Sequence, residues 1–212
     1  MSGIMLNIAG GTFGPPPPPA IGSALGGGFF AGQISTVGNG IADFNLVVGP
    51  VASASDNSKQ WKTTNTSTTG TSSVIDGPTN SSNMNNASHP AAQFCEGLTI
   101  GGFSDWYLPA KNELEVCYYN LKPTTTSNNT GGGTNTNAVP SRGSNYTAGD
   151  PAQTSATDFQ NTGAEDFAGS SYWSSTEISA TNGAIQSFQA GYVGSYNKNY
   201  ARSARAIRRV AV

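Results

Sequence analysis

The groups in this chain with the capacity for chemistry are few: two thiols (Cys95 and Cys117), one imidazole (His89) and twelve carboxylates among 212 residues. Two cysteines and one histidine with no CxxC or HxxxH spacing do not make a zinc-ligand set, so no metal is expected. A Ser-His-Asp triad would have to use His89, which directly precedes Pro90, and no serine stands in a GxSxG context. Asp158, Glu165 and Asp166 fall in a polar stretch with no apolar surroundings to shift their pKa values, which leaves glycosidase chemistry unsupported. The glycine runs at 26–28 and 131–133 lack the lysine that completes a phosphate-cradling loop. These residues read as a non-enzyme with no cofactor. Both cysteines fall in apolar helical stripes and are expected as buried thiols; a disulfide would need two helices to bring them together.

Recognition is a different matter. The stretch Gly191-Tyr192-Val193-Gly194-Ser195-Tyr196-Asn197-Lys198-Asn199-Tyr200 reads as a loop before the last strand. Tyr192, Tyr196 and Tyr200 offer rigid amphipathic contact, and Asn197, Lys198 and Asn199 offer adaptable hydrogen bonds, a mixture typical of binding loops. Aromatics with amides also suit sugar rings, so a host surface glycan is the ligand this stretch suggests. The competing reading has the tyrosines covering a sheet edge or an oligomer contact.

Only 10% of the chain is charged and the formal net charge is −2, which gives no electrostatic case for a nucleic-acid partner. The basic residues gather near the C-terminus, in Lys198, Arg202, Arg205, Arg208 and Arg209. They alternate with apolar residues, which predicts a strand with salt-bridged or solvated arginines. No apolar run approaches the ~18 residues of a membrane span, so no membrane insertion is expected. The opening MSGIMLNIAGGTFG has neither a basic n-region nor a sustained apolar core, so no secretory signal is expected.

The elements that would position these residues follow from local pattern. Residues 1–20 read as an extended glycine- and proline-rich arm. Pro15, Pro16, Pro17, Pro18 and Pro19 favour polyproline II, and Ile4, Leu6 and Ile8 could dock on a neighbour's surface or sheet. A disordered terminus is the alternative. Residues 21–212 read as one domain. GGGFFAGQIS and IADFNLVVGPV predict two strands across a Gly-Asn-Gly turn. Residues 52–86 read as a long polar loop anchored by Trp61. A helix is expected over 89–98, capped by Ser88, with Pro90 in its first turn and Gly97 as its stop. A second, over 110–121, carries Leu114, Cys117, Tyr118 and Leu121 as one apolar stripe. Residues 124–170 are polar again, with Tyr146 and Phe159 as anchors. Strands at 171–177, 184–192 and 205–210 close an α+β domain whose termini meet in one sheet.

The series GGFSDWYLPAKNEL at 101–114, YWSST at 172–176 and RAIRRV at 205–210 resembles the Lcl C-terminal domain family. The resemblance covers residues 22–212, and the family is similar in fold to C-type lectins and to formylglycine-generating enzymes. It implies a C-type-lectin-like domain with two helices packed on short antiparallel sheets and long polar loops. The GGGFFAG opening and the QWKTTNT segment are similar to proteins of marine and cyanobacterial tailed phages. Trp106, Leu108, Pro109, Glu113, Leu114, Trp173, Ser174, Arg205 and Arg208 are read as structural. Trp106 and Leu108 would seal the second helix against the sheet, Glu113 would take an arginine from the last strand, and Trp173 would be core. Ser174, Ser175 and Thr176 would serve as turn or backbone hydrogen-bonders. The cysteines do not match the copper-dependent pair of the formylglycine enzymes. Neither a Glu-Pro-Asn nor a Gln-Pro-Asp loop occurs, so calcium and monosaccharide specificity are not carried over.

These readings imply a bacteriophage virion surface protein, a head decoration protein or short fibre. Its arm would dock on other virion proteins of capsid or tail, and its lectin-like domain would face outwards. The alternative is a tail-fibre or tail-tip receptor-binding protein that uses the same domain for host attachment. A secreted bacterial adhesin comes third, because no signal is seen. Fibres and decoration proteins at capsid three-fold positions are commonly trimeric, which makes a homotrimer the expected assembly.

Overall fold

The computed structural model describes residues 17–212. The docking expectation for Ile4, Leu6, Ile8, Pro15 and Pro16 lies outside the described residues. Pro17 to Pro19 precede the first turn without regular secondary structure, and Pro17 and Pro18 are exposed.

In chain order the elements are β1 (Ala24–Leu25), β2 (Gly28–Ile34), β3 (Phe44–Val48), α1 (Val51–Ala54), β4 (Ser55–Gln60), α2 (Gly77–Asn83), α3 (Pro90–Glu96), α4 (Lys111–Leu121), β5 (Ala138–Val139), β6 (Ser171–Glu177), β7 (Asn182–Ser187), β8 (Val193–Asn197), β9 (Ala201–Arg205) and β10 (Ile207–Ala211). This is an α+β fold, mostly curled antiparallel sheet with four short helices. One sheet runs β1-β2-β3-β10, with β5 also on β2; the other runs β4-β9-β6-β7-β8. Every ladder is antiparallel except the single β6–β9 contact, Tyr172 to Ser203.

The early and late strands do meet in one sheet: β10 lies antiparallel to β3, with Ile207 opposite Val48 and Ala211 opposite Phe44. Two segments carry the chain between sheets side by side, β3 through α1 into β4 and β9 into β10. Reciprocal bonds join them, Gly49 N–H to Ala206 C=O and Ala206 N–H to Ala54 C=O, at 3.0 and 2.9 Å. Such crossing hydrogen bonds satisfy backbone groups at the corner that a sheet ladder would otherwise hold.

Two apolar cores result. In the first, α4 packs its predicted stripe of Leu114, Cys117, Tyr118 and Leu121 against Ile34, Leu46, Tyr172 and Phe188. Tyr146 and Phe159, the anchors of the polar 124–170 stretch, enter this core as expected. The second core is built from Trp61, Trp106, Leu108, Trp173, Met84 and the alanines of α3. Trp106 and Leu108 therefore do not seal α4 against the sheet; they belong to the opposite core, because alternate side chains of an extended segment face opposite ways and Tyr107 between them takes the α4 side. Cys95 sits in the second core and Cys117 in the first, both as free buried thiols.

Several local expectations need correction. Among the described residues four helices form where two were expected, and residues 52–86 are not one loop: they contain most of α1, all of β4 and α2. The apolar periodicity that signals an element is missing there, since β4 reads SDNSKQ and α2 reads GPTNSSN. α2 begins instead by local chemistry, Asp76 accepting the Thr79 N–H at 3.2 Å with Pro78 in the first turn. Helix α3 starts at Pro90 with His89 rather than Ser88 at its cap, and ends at Gly97 as expected. The late strand expected at 184–192 spans Asn182–Ser187, and the stretch read as a loop at 191–200 contains β8.

Candidate functional site

Among the described residues strand β8 is the outermost strand of its sheet and pairs only with β7, from Asn182 opposite Asn197 to Gln186 opposite Val193. The aromatic residues on it and flanking it are displayed rather than buried: Tyr192, Tyr196 and Tyr200 are 50%, 39% and 53% exposed. Tyr192 folds back across Gly194, where a Cβ would stand 2.5 Å from the tyrosine ring. Tyr196 and Tyr200 meet edge to face at 5.4 Å, and the Arg202 guanidinium stacks on Tyr196 at 3.9 Å.

Three depressions follow this strand. One, of about 300 Å³, is lined by Asn182, Ser195, Tyr196, Asn197 and Tyr200. The next, of about 330 Å³, is lined by Lys111, Ile178, Tyr192, Val193, Gly194 and Ser195. The third, of about 260 Å³, lies between the start of α4 and the loop at 131–134, and shares Lys111 and Val193 with the second. The first two share Ser195 as the last two share Lys111 and Val193, so the three depressions neighbour one another in a lane along β8.

What holds the display in place is the side chain the sequence placed among the ligand groups. Lys198 is fully buried, so it is an internal anchor and not a binding residue. Its ammonium donates to Glu177 Oε1 at 2.5 Å and to the carbonyls of Thr66 and Ala180, both at 3.0 Å, and lies 4.5 Å from the Trp61 ring centroid. Burial pulls the Lys198 pKa below its ordinary value, and Glu177 opposes the shift without cancelling it. Burial pushes Glu177 up, but Lys198 and the Thr68 N–H outweigh it and hold the carboxylate below its usual range. The Gln60 side-chain amide donates to Asn199 C=O at 2.6 Å, fixing the turn that carries Tyr200. A face pinned in this way loses little conformational freedom on binding. Asn197 and Asn199 remain exposed beside the tyrosines.

The residues of the motif series serve the fold. Glu113 is fully buried; its carboxylate accepts the Ala110 N–H at 2.8 Å, the Tyr107 hydroxyl at 2.6 Å and the Arg209 Nε–H at 2.8 Å. That is the expected arginine from the last strand. Pro109 precedes the capping residue Ala110, and Leu114 is core. Trp173 is core and donates from Nε1 to Lys59 C=O at 2.9 Å. Ser174 and Thr176 do act on backbone: Ser174 Oγ accepts the Thr176 N–H, and Thr176 Oγ1 accepts the Lys111 N–H at 3.0 Å.

Three of the four terminal arginines, Arg205, Arg208 and Arg209, are salt-bridged, while Arg202 is not among the described residues, and they lie on two strands of different sheets, β9 and β10, rather than on one. Arg205, buried, donates to Gly49 C=O at 2.7 Å and to Glu165 at 3.1 Å. Burial lowers its pKa to about 10. Glu165 also accepts the Val51 N–H at 2.7 Å, so it is a structural partner and not a solvated loop carboxylate. Arg208 forms a bidentate pair with Asp105 at 2.7 and 2.9 Å and covers Phe103 at 3.9 Å.

His89 bonds Thr68 and Asn86 through its two nitrogens, both at 2.9 Å. Burial, with Lys62 and Lys198 nearby, lowers its pKa to about 4. Among the described residues no three His, Cys, Asp or Glu side chains group as metal ligands, and no helix is long and apolar enough to cross a membrane. Sequence reading missed Lys111, Ile178 and Asn182, which come to the lane from other elements and carry no local signal. The class these features define is an α+β protein with a pinned, tyrosine-bearing edge strand. No protein-family model and no curated protein matches the chain.

Proposed function

We propose that this chain is a non-enzymatic surface protein of a bacteriophage particle, with a C-type-lectin-like domain that displays the β8 face outwards. The observation that carries a binding role is the exposure of Tyr196 on β8 and of Tyr192 and Tyr200 flanking it, beside the buried Lys198–Glu177 pair. Large aromatic residues left in solvent on a pinned scaffold suit recognition, since their contact area comes at low entropic cost. The lectin-like assignment rests on the motif series. It is supported by strands from both ends of the domain sharing one sheet and by α4 packed beneath it. The phage assignment rests on the sequence resemblance.

Head decoration or a short fibre is the first placement. The exposed tyrosines favour a second, a receptor-binding protein at the tail that grips a host glycan. Immunogold electron microscopy of intact particles separates them: label over the head supports decoration, and label at the tail end supports receptor binding. No label on accessible particles rejects both. The recognition face is tested by combining Tyr196→Ala with Tyr200→Ala. Host or glycan binding that persists in the double variant rejects it. The arm is tested by deleting residues 1–20, which is expected to leave a folded domain that no longer joins the particle. Retained incorporation rejects the docking role.

A further inference from the structure

Lys111 stands apart from every other cation of the chain. Lys59, Arg142, Lys198, Arg205, Arg208 and Arg209 each have a carboxylate partner. Lys62 and Lys122 donate to backbone carbonyls, and Arg202 donates to Ala201 C=O and covers Tyr196. Among the described residues the Lys111 ammonium has no hydrogen-bond or ion-pair partner, and it lines the cavity of about 260 Å³ beside α4.

The opposite wall of that cavity is the loop containing Gly132 and Gly133. The backbone N–H groups of both find no acceptor among the described residues, although Gly133 is buried. A buried N–H without a protein partner is satisfied by water or by a ligand. The helix N-terminus is not the donor here, because the Lys111 and Asn112 N–H groups are already taken by Thr176 Oγ1 and Val74 C=O.

One carboxylate, Glu115, also lines the cavity, but its charge is already answered. It pairs with Arg142 and accepts from Asn135 at 2.6 Å and from the Tyr146 hydroxyl at 2.7 Å. With that pair neutral, Lys111 leaves the cavity with a net positive charge. Charge and free donors select the same chemistry.

We infer that this cavity is an oxyanion subsite, in which Lys111 and the Gly132–Gly133 amides take the carboxylate or phosphate of an acidic glycan. Through the walls shared at Lys111, Val193 and Ser195, the neighbouring sugar rings continue along the lane past Tyr192 towards Tyr196 and Tyr200. The inference rests on β8 being the recognition face and names the class of ligand that face would take.

The test is an NMR titration of the isotope-labelled full chain with galacturonic acid and glucose 6-phosphate, against galactose and glucose. At least one anion is expected to move the Gly132 and Gly133 amide resonances while the neutral sugars leave them in place. The anion that acts identifies carboxylate or phosphate as the source. Lys111→Gln is expected to weaken that binding about tenfold, the size of one charge-assisted bond, with Lys111→Arg restoring most of it. Equal shifts from the neutral sugars, no amide shift from either anion, or undiminished binding by folded Lys111→Gln overturns the subsite. If sugars move the Tyr196 and Tyr200 rings but never the glycine amides, the tyrosine face stands and the subsite falls. If anions move the amides but no sugar touches the rings, the subsite stands and the tyrosine face falls.

Discussion

Glu113 on α4 and Arg209 on the last strand meet at 2.8 Å in the interior, the carboxylate fully buried. The pair ties α4 to β10, while Arg209 also donates to Ile75 C=O at 2.6 Å and so holds the approach to α2. Gly77 lies directly against it, and a Cβ there would stand 2.1 Å from Glu113 Oε2 and 2.8 Å from Ala110 N. Breaking a buried pair by removing one partner typically costs about 3–5 kcal/mol, because the other charge is left unanswered. Glu113→Ala is therefore expected to lower the melting temperature by about 10 °C, and Gly77→Ala to destabilise comparably through overpacking. Thermal unfolding followed by circular dichroism checks both, and a change under about 2 °C in either counts against this reading.

Acid sensitivity should carry a signature of His89. Its pKa falls from 6.5 to about 4 on folding, so the folded state prefers the neutral ring. The groups facing it are Lys62 and Lys198, which reinforce the shift, and Glu177, which opposes it. Between those two values the unfolded chain binds more protons, so this contribution is full above pH 6.5 and is lost as pH falls towards 4. His89→Gln removes the titration. The stability difference between wild type and variant should shrink across that window on acidification; a difference constant with pH would rule out the mechanism.

Neither cysteine should react in the native protein. Burial pushes both thiols well above their ordinary pKa, and each lies in a separate core. Iodoacetamide is expected to leave the native mass unchanged and to add two adducts after denaturation. A native adduct, or fewer than two adducts from denatured, unreduced protein, contradicts the arrangement.

Display and anchoring should separate by mutation. Tyr196→Ala removes an exposed ring and its Arg202 stack, a contact worth about 1 kcal/mol or less. Lys198→Met strands Glu177 and is expected to cost about 3 kcal/mol or more. Urea denaturation should thus show a small change in the first variant and a large one in the second. Equal losses would mean that Tyr196 is structural.

Much of this architecture was legible in the residues. The α4 stripe and the β2 and β3 strands follow from periodicity and alternation, which act over a few residues. An arginine of the last strand was expected on Glu113, but that it is Arg209, and that Arg205 and Arg208 meet Glu165 and Asp105, depends on groups far apart in the chain. β4 and α2 were not legible, because their polar sequences carry no period; β4 exists through backbone bonds to the distant β9 strand, and α2 carries only the short-range signal of its Asp76 cap and Pro78. Lys198 shows the same boundary. Its neighbours Asn197 and Asn199 are exposed, and composition gives no reason to exempt the lysine between them. Only the arrival of Glu177, Trp61 and the Thr66 carbonyl from other segments buries it. Lys111 is the reverse case, an ordinary helix-start lysine that folding leaves without a partner beside two unpaired glycine amides. Local chemistry thus decided which segments could fold, while burial and charge pairing, which depend on groups far apart in the chain, decided which side chains remain free to bind.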